Sequence, residues 1–265
     1  MSRAPRPAST ICLVRDTVNG LEVLMVRRTP EAQFMAGAWV FPGGAVDAID
    51  ARGAARRAVA CSNTGMLRWL AAAVRELVEE TGIWLLESGA VVLPDRPANG
   101  DVYSAVLERD ERFAGGSLQY FANWITPKPL PVRFDTRFFA ATVPRGLEPI
   151  VDGLELVDAR WIQPDGALER ADAGGWDVAF PTQKILEFLG GFSTTAALGE
   201  NIERQSDVTP IQPRLVVCDR RVEILMPDDR GFDEAAAGES DPALLSALEP
   251  IIRSGGERPP EVGSL

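Results

Sequence analysis

The run Arg75-Glu76-Leu77-Val78-Glu79-Glu80-Thr81-Gly82-Ile83 places three carboxylates within five residues, behind one arginine. Glu76, Glu79 and Glu80 stand at i, i+3 and i+4, so on a 3.6-residue period they share one helix face. Like charges at that spacing destabilise a bare helix by about a few tenths of a kcal/mol per pair. The stripe is therefore either well solvated or neutralised. A hard divalent cation, Mg²⁺ or Mn²⁺, is the neutraliser that suits clustered carboxylate oxygens. Arg75, four residues before Glu79, can brace it from the side, and Gly82 reads as the left-handed stop of the helix. The plainer alternative is a solvated acidic helix end with an Arg75–Glu79 ion pair.

Composition limits what else the chain can use. It has no histidine in 265 residues, which removes Ser-His-Asp and Cys-His triads, His-rich zinc sites and any imidazole base. A general base must then be a carboxylate or a metal-bound hydroxide. The net charge of −11 argues against a nucleic-acid polymer or an anionic membrane as partner. A small anionic substrate stays open, because a bound metal reverses the local sign. Cys12, Cys61 and Cys218 are far apart and form no CxxC pair, which reads as three idle thiols in a reducing compartment. The basic, Pro-rich start is followed by an apolar run at 11–14 too short for a signal segment, and no later run reaches membrane length. A cytoplasmic protein is expected, one domain with decorations.

The elements that must carry the acidic run follow from periodicity and turn residues. Strands at 10–14 and 21–27 flank Asn19-Gly20, a hairpin signal. The stretch Trp39-Val40-Phe41-Pro42-Gly43-Gly44 reads as a strand and then a turn where backbone can approach closely. Residues 45–65 lack a clean period. Met66, Leu70, Ala73 and Leu77 mark a helix over 66–80. Residues 84–86 either open a strand or extend the helix region, and further strands are expected at 124–126, 138–143 and 154–162, with Pro127–Pro131 and Arg133-Phe134-Asp135-Thr136 as a loop between the first two of these. Helices are expected at 101–109, 165–171, 181–189 and 194–204, then a hairpin at 214–218 and 222–226. Residues 1–9 read as a flexible start. The fold domain spans 10–227, and 228–265 is an acidic linker with an amphipathic helix at 242–253 and a disordered end. That helix and the segment 51–67 could each form a homodimer contact or fold back on their own chain.

The acidic run resembles the second half of the Nudix box: Arg75, Glu76, Leu77, Glu79, Glu80, Gly82 and Ile83 fill its seven specified positions. The first half is also recognisable. Gly44 opens it, and Asp50 stands six residues later, where the family has glutamate. Gly44 to Arg75 is 31 positions against 14 in the pattern, so 17 residues are extra. They are expected between Asp50 and Arg68 as a surface-loop insertion of small thermodynamic cost. The resemblance implies an α+β fold, the Nudix α/β/α sandwich around a mixed β-sheet, with extra C-terminal helices and a hairpin.

The resemblance also implies chemistry: hydrolysis of a nucleoside diphosphate linked to another moiety, with Mg²⁺ or Mn²⁺. Glu76, Glu79, Glu80 and the backbone near Gly44 would hold the metal, and Glu79, Arg75 and Glu76 would form the catalytic group. A further acid, Glu155 or Asp158, precedes Trp161 and could be a remote ligand or base. Leu24, Arg28, Gly37, Phe41, Pro42, Gly43, Gly44 and Asp47, with the stretch 124–139, resemble the peroxisomal CoA-diphosphatase branch of animals and its bacterial relatives. The second arginine of that pattern falls at Gln33. On this resemblance Arg28, Gln33, Phe41, Gly43 and Arg133 would bind substrate, CoA or acyl-CoA first. ADP-ribose, nucleotide sugars or nucleoside triphosphates are the alternative. A nucleotide-sensing module without turnover is the rival of another class. Phe134, Phe138, Phe139 and Trp124 read as core ahead of pocket.

Overall fold

The computed structural model describes residues 4–32, 34–94, 96–97, 101–218, 221–235 and 244. The expected hairpin is present as β1 (Arg6–Thr17) and β2 (Gly20–Arg28). Short strands β3 (Trp39–Val40) and β4 (Gly43–Ala45) follow, then α1 (Gly53–Ala58) and α2 (Leu67–Thr81). A small hairpin of β5 (Ile83–Leu86) and β6 (Gly89–Val92) leads to α3 (Asp101–Glu108). The second half of the chain adds β7 (Gln119–Ile125), β8 (Phe134–Thr142) and β9 (Leu156–Ile162). It closes with α4 (Pro164–Asp172), α5 (Phe180–Gly190) and α6 (Thr195–Glu203), and the hairpin β10 (Arg214–Cys218) and β11 (Arg221–Leu225).

The main sheet runs β3-β2-β1-β8-β7, with β4 added to β1 and β9 to β2. It is mixed: β1 and β8 are parallel and the other pairs are antiparallel. Both faces are covered, so β1 and β2 read as continuous apolar runs rather than alternating ones. Ile11, Leu13, Leu24 and Val26 pack with α2 and α3 on one face. Cys12, Val14, Val23 and Met25 pack with α4, α5 and α6 on the other. This is the expected α/β/α sandwich. Among the described residues no helix is long and apolar enough to cross a membrane.

One irregularity positions the site. Near the hairpin turn β1 pairs with β2, but at its other end Ala8, Ser9 and Thr10 pair with Ala45, Gly44 and Gly43 of β4. The two long strands diverge there, β4 enters the gap, and the Gly-Gly segment comes to lie beneath α2. Gly43 needs its missing side chain, because at φ 151° a Cβ would overlap the Ser9 carbonyl oxygen.

Several expectations are corrected. The chain is ordered in β1 from Arg6, not Thr10, because residues 6–9 lie between β8 and β4 and gain partners on both sides. Phe134, Asp135 and Thr136 belong to β8 rather than to a loop. The extra segment after Asp50 is not a surface loop. It carries α1, whose Ala55 and Ala58, with Val59, are buried in the first core. Residues 228–235 are turns folded back on β10, with Arg214 4.0 Å from the Phe232 ring. Of the helix expected at 242–253 only Leu244 is described, buried near Leu215; the expected disordered end lies outside the described residues.

Candidate active site

α2 ends as its sequence dictates. Gly82 takes φ 68° and donates its N–H to the Val78 carbonyl, a left-handed cap. Arg96 then donates to the carbonyls of Glu79 and Glu80 at 3.4 and 3.3 Å, a cation at the negative end of the helix dipole.

Arg75 is the hub of the site, 4% exposed. Its Nε and Nη2 fork onto Asp50 at 2.9 and 3.2 Å, Nη1 reaches Glu76 at 2.8 Å and Glu79 at 3.2 Å, and Nη2 also donates to the Ala45 carbonyl at 3.0 Å. Burial opposes its charge, but the bond to Asp50 and the charges of Glu76 and Asp50 outweigh this and hold it protonated. Asp50 is wholly buried and also accepts from the Tyr103 hydroxyl at 2.5 Å and the Asp47 N–H at 2.7 Å. The shorter carboxylate at the box position is thus the anchor of the arginine. Burial, then the charge of Asp50, pushes the Tyr103 phenol well above its ordinary range, so it stays a donor.

Glu76 and Glu80 face the split in the sheet. A Cβ on Gly44 would lie 2.5 Å from the Glu76 carboxyl, so only glycine lets that group rest on the β4 backbone. Glu80 is buried and accepts the Gly43 N–H at 2.9 Å. Burial pushes Glu76 up to about 7, against the pull of Arg75 and with help from Glu79 and Asp50. Glu80 is raised well above the usual carboxylate range by burial and by Glu76, while the Gly43 N–H and Arg28 act in the opposite direction. Two buried carboxylates with raised pKa, Glu76 adding to the rise at Glu80, form a candidate oxygen donor set. Among the described residues no three acidic side chains converge into a ready-made cage, and Arg75 Nη1 engages both Glu76 and Glu79. A Mg²⁺ that keeps several waters fits two such carboxylates with a neighbouring carbonyl.

The remaining expected residues divide. Arg28 and Glu155 both act electrostatically on Glu80 and so lie by the cluster. Asp158 does not join it. Ala159 and Trp161 pack on the α2 side, so by strand alternation Asp158 faces the other layer, where it pairs with Arg160 at 3.1 Å. Phe41 is 3% exposed in the second core with Trp39, turned away from the acids because Val40 takes the α2 face. Arg133 is buried and donates from Nε to the Thr126 carbonyl at 3.1 Å, within the β7–β8 connection. Phe138 and Trp124 are in the second core and Phe139 in the first. Gln33 lies outside the described residues. Tyr103 and Ser9, whose Oγ donates to the Trp69 carbonyl at 2.7 Å, are site supports that sequence reasoning missed. Nothing in the pattern of α3 singles out a tyrosine whose hydroxyl reaches back 53 residues.

No family model matches the chain. A solved Nudix hydrolase from Alicyclobacillus acidocaldarius superposes with a TM-score of 0.65 at 30% sequence identity, over 76% of this chain and 97% of that one. The chain belongs to the Nudix hydrolase family. A Caenorhabditis elegans protein described as a nudix hydrolase is 29% identical over 191 residues, 69% of this chain and 59% of the relative. The chain thus spans under two thirds of that relative's length. The box segments come together in the fold: Arg75, Glu76, Glu79 and Glu80 from α2, Gly44 from β4, and Asp50 across the α1 segment, with Gly43 bonded to Glu80 and Tyr103 to Asp50.

Proposed function

We propose that this Nudix hydrolase cleaves the diphosphate of CoA or acyl-CoA, giving 3′,5′-ADP and phosphopantetheine or its acyl form. Glu76 and Glu80 are assigned as the ligands of Mg²⁺ or Mn²⁺, with the backbone near Gly44. The ion, when bound, neutralises diphosphate oxygens and makes a water more acidic. Glu79, steered by Arg75, orients the attacking water and takes its proton. One P–O bond of the anhydride breaks as the new P–O bond forms, so one water is consumed and two phosphate monoesters leave. Arg28 meets the diphosphate charge.

The observation that carries the reading is the position of Arg28. The cation of the CoA-like stretch lies within electrostatic reach of Glu80, on the strand that diverges beside the Gly43-Gly44 segment. Mass spectrometry of products from CoA, acyl-CoA, ADP-ribose and nucleoside triphosphates, each with Mg²⁺, tests it. Formation of 3′,5′-ADP is expected. Cleavage of ADP-ribose or a triphosphate with CoA left intact would overturn the CoA reading and leave the hydrolase assignment standing.

A further inference from the structure

Phe34 and Phe134 stand apart from the aromatic rings that fill the sandwich. Their centroids are 5.7 Å apart at an interplanar angle of 54°, yet neither ring belongs to the core on either face of the sheet. Phe34 is 39% exposed. The exposed Arg6 guanidinium lies 6.0 Å from the Phe134 centroid. An aromatic ring held half in water forgoes burial free energy that a core position would give.

The loop that presents Phe34 is not slack. The Ala32 and Gly37 N–H groups donate to the Thr29 carbonyl, and the Ala38 N–H to that of Met35. Met35 is held at φ 53°, a region that few residues other than glycine adopt. Arg28 Nε donates to the Phe34 carbonyl at 3.1 Å, and along β1 Arg6 pairs with Phe134 while Ser9, three residues on, pairs with the Gly44 on which the Glu76 carboxyl rests. The register of β1 thus sets the ring pair and the carboxylate cluster along the same strand.

We propose that Phe34 and Phe134 form the subsite for the base of the substrate's nucleoside, and that Arg6 takes a phosphate carried on its ribose. This rests on the reading of the protein as a hydrolase of nucleoside diphosphate derivatives. A base has a flat π face that stacks on an aromatic ring, and a guanidinium at the edge of that platform suits a phosphate monoester. With the diphosphate at Glu76 and Glu80 and Arg28 between, the nucleoside runs outward to the ring pair. The 3′-phosphate of CoA is a group that Arg6 would meet, and dephospho-CoA lacks it.

Steady-state kinetics of wild type, Phe34→Ala, Phe34→Trp and Arg6→Ala on CoA and dephospho-CoA test this. Phe34→Ala is expected to raise KM for both substrates about tenfold, with the loss in KM rather than kcat, and Phe34→Trp to restore it. Arg6→Ala is expected to raise KM for CoA and not for dephospho-CoA. An unchanged KM in Phe34→Ala, or an equal effect of Arg6→Ala on the two substrates, would overturn the proposal. Should the wild type cleave neither, the CoA reading has failed on its own. The Phe34→Ala comparison on ADP-ribose then decides the base subsite: a raised KM supports it and an unchanged one overturns it.

Discussion

The N-terminal and C-terminal halves of α2 are fastened to the same sheet by different forces. At the N-terminal half Trp69 lies between the helix and β8, with the Arg137 guanidinium 3.4 Å from its ring centroid and that of Arg68 3.9 Å. Trp69 Nε1 and Arg137 Nε find no hydrogen-bond partner among the described residues, and the contact combines packing and cation–π attraction with bonds from Arg137 Nη1 to Met66 Sδ and from Ser9 Oγ to the Trp69 carbonyl. At the C-terminal half Arg75 spends its donors on Asp50, Glu76, Glu79 and the Ala45 carbonyl. One half leaves two buried donors unpaired. The other satisfies its cation through Asp50, Glu76, Glu79 and the Ala45 carbonyl, beside the carboxylates proposed to hold the metal. On the proposed function, structural and catalytic attachment are divided along one helix.

Breaking each half should separate the two. Arg75→Met leaves Asp50 buried without its cation and is expected to cost about 3–5 kcal/mol in denaturant unfolding. Adding Asp50→Leu should recover most of that stability while activity stays lost; recovery of activity would show that the network is not catalytic support. Glu80→Gln should lower kcat on the order of 10²–10³-fold with the fold intact by circular dichroism, and an active variant would contradict the assigned metal ligand. Tyr103→Phe removes one donor to a buried carboxylate and should cost about 1.5–3 kcal/mol, with a loss of activity that Arg137→Met does not share. Arg137→Met should cost only about 1 kcal/mol and leave kcat within about twofold of wild type; a larger fall in kcat would end the division drawn here.

The smallest effect is one of pH. The Glu76 carboxyl, at about 7 when folded against an ordinary 4.5, keeps its proton where the unfolded chain loses it. Its contribution to stability is present below the unfolded value and is lost as pH rises toward 7. The melting temperature of metal-free protein should therefore fall between about pH 5 and 7, less steeply in Glu76→Gln. Added Mg²⁺ should raise it more at the upper end, since only the ionised site binds the ion well. An identical pH slope in wild type and Glu76→Gln would show that Glu76 is not the group responsible.

What the sequence discloses follows from how local each signal is. The helix over 66–80 and its Gly82 stop are legible because period and cap lie within a few residues, and α2 differs from them by one residue at each end. The hairpin is legible from Asn19-Gly20. The CoA-like pattern puts Phe41 with the substrate, but strand alternation turns neighbours to opposite faces and Phe41 enters the second core. Glu155 and Asp158 are alike as acids ahead of Trp161, and what separates them is that β9 begins after Glu155 and turns Asp158 to the other layer. The segment after Asp50 reads as loop because alanines carry little hydrophobic period, although Ala55 and Ala58 are fully buried. Tyr103 is illegible because its role is a single long-range hydrogen bond.

That last bond also sets an order of events in time. Asp50 meets Arg75 across 25 residues and Tyr103 across 53, whereas β1 and β2 are joined by a tight turn. Closing the longer loops costs more chain entropy and comes later. A nascent or refolding chain will carry the motif before it carries the site. Mg²⁺-dependent protection of α2 amides should consequently appear after protection of the β1–β2 hairpin.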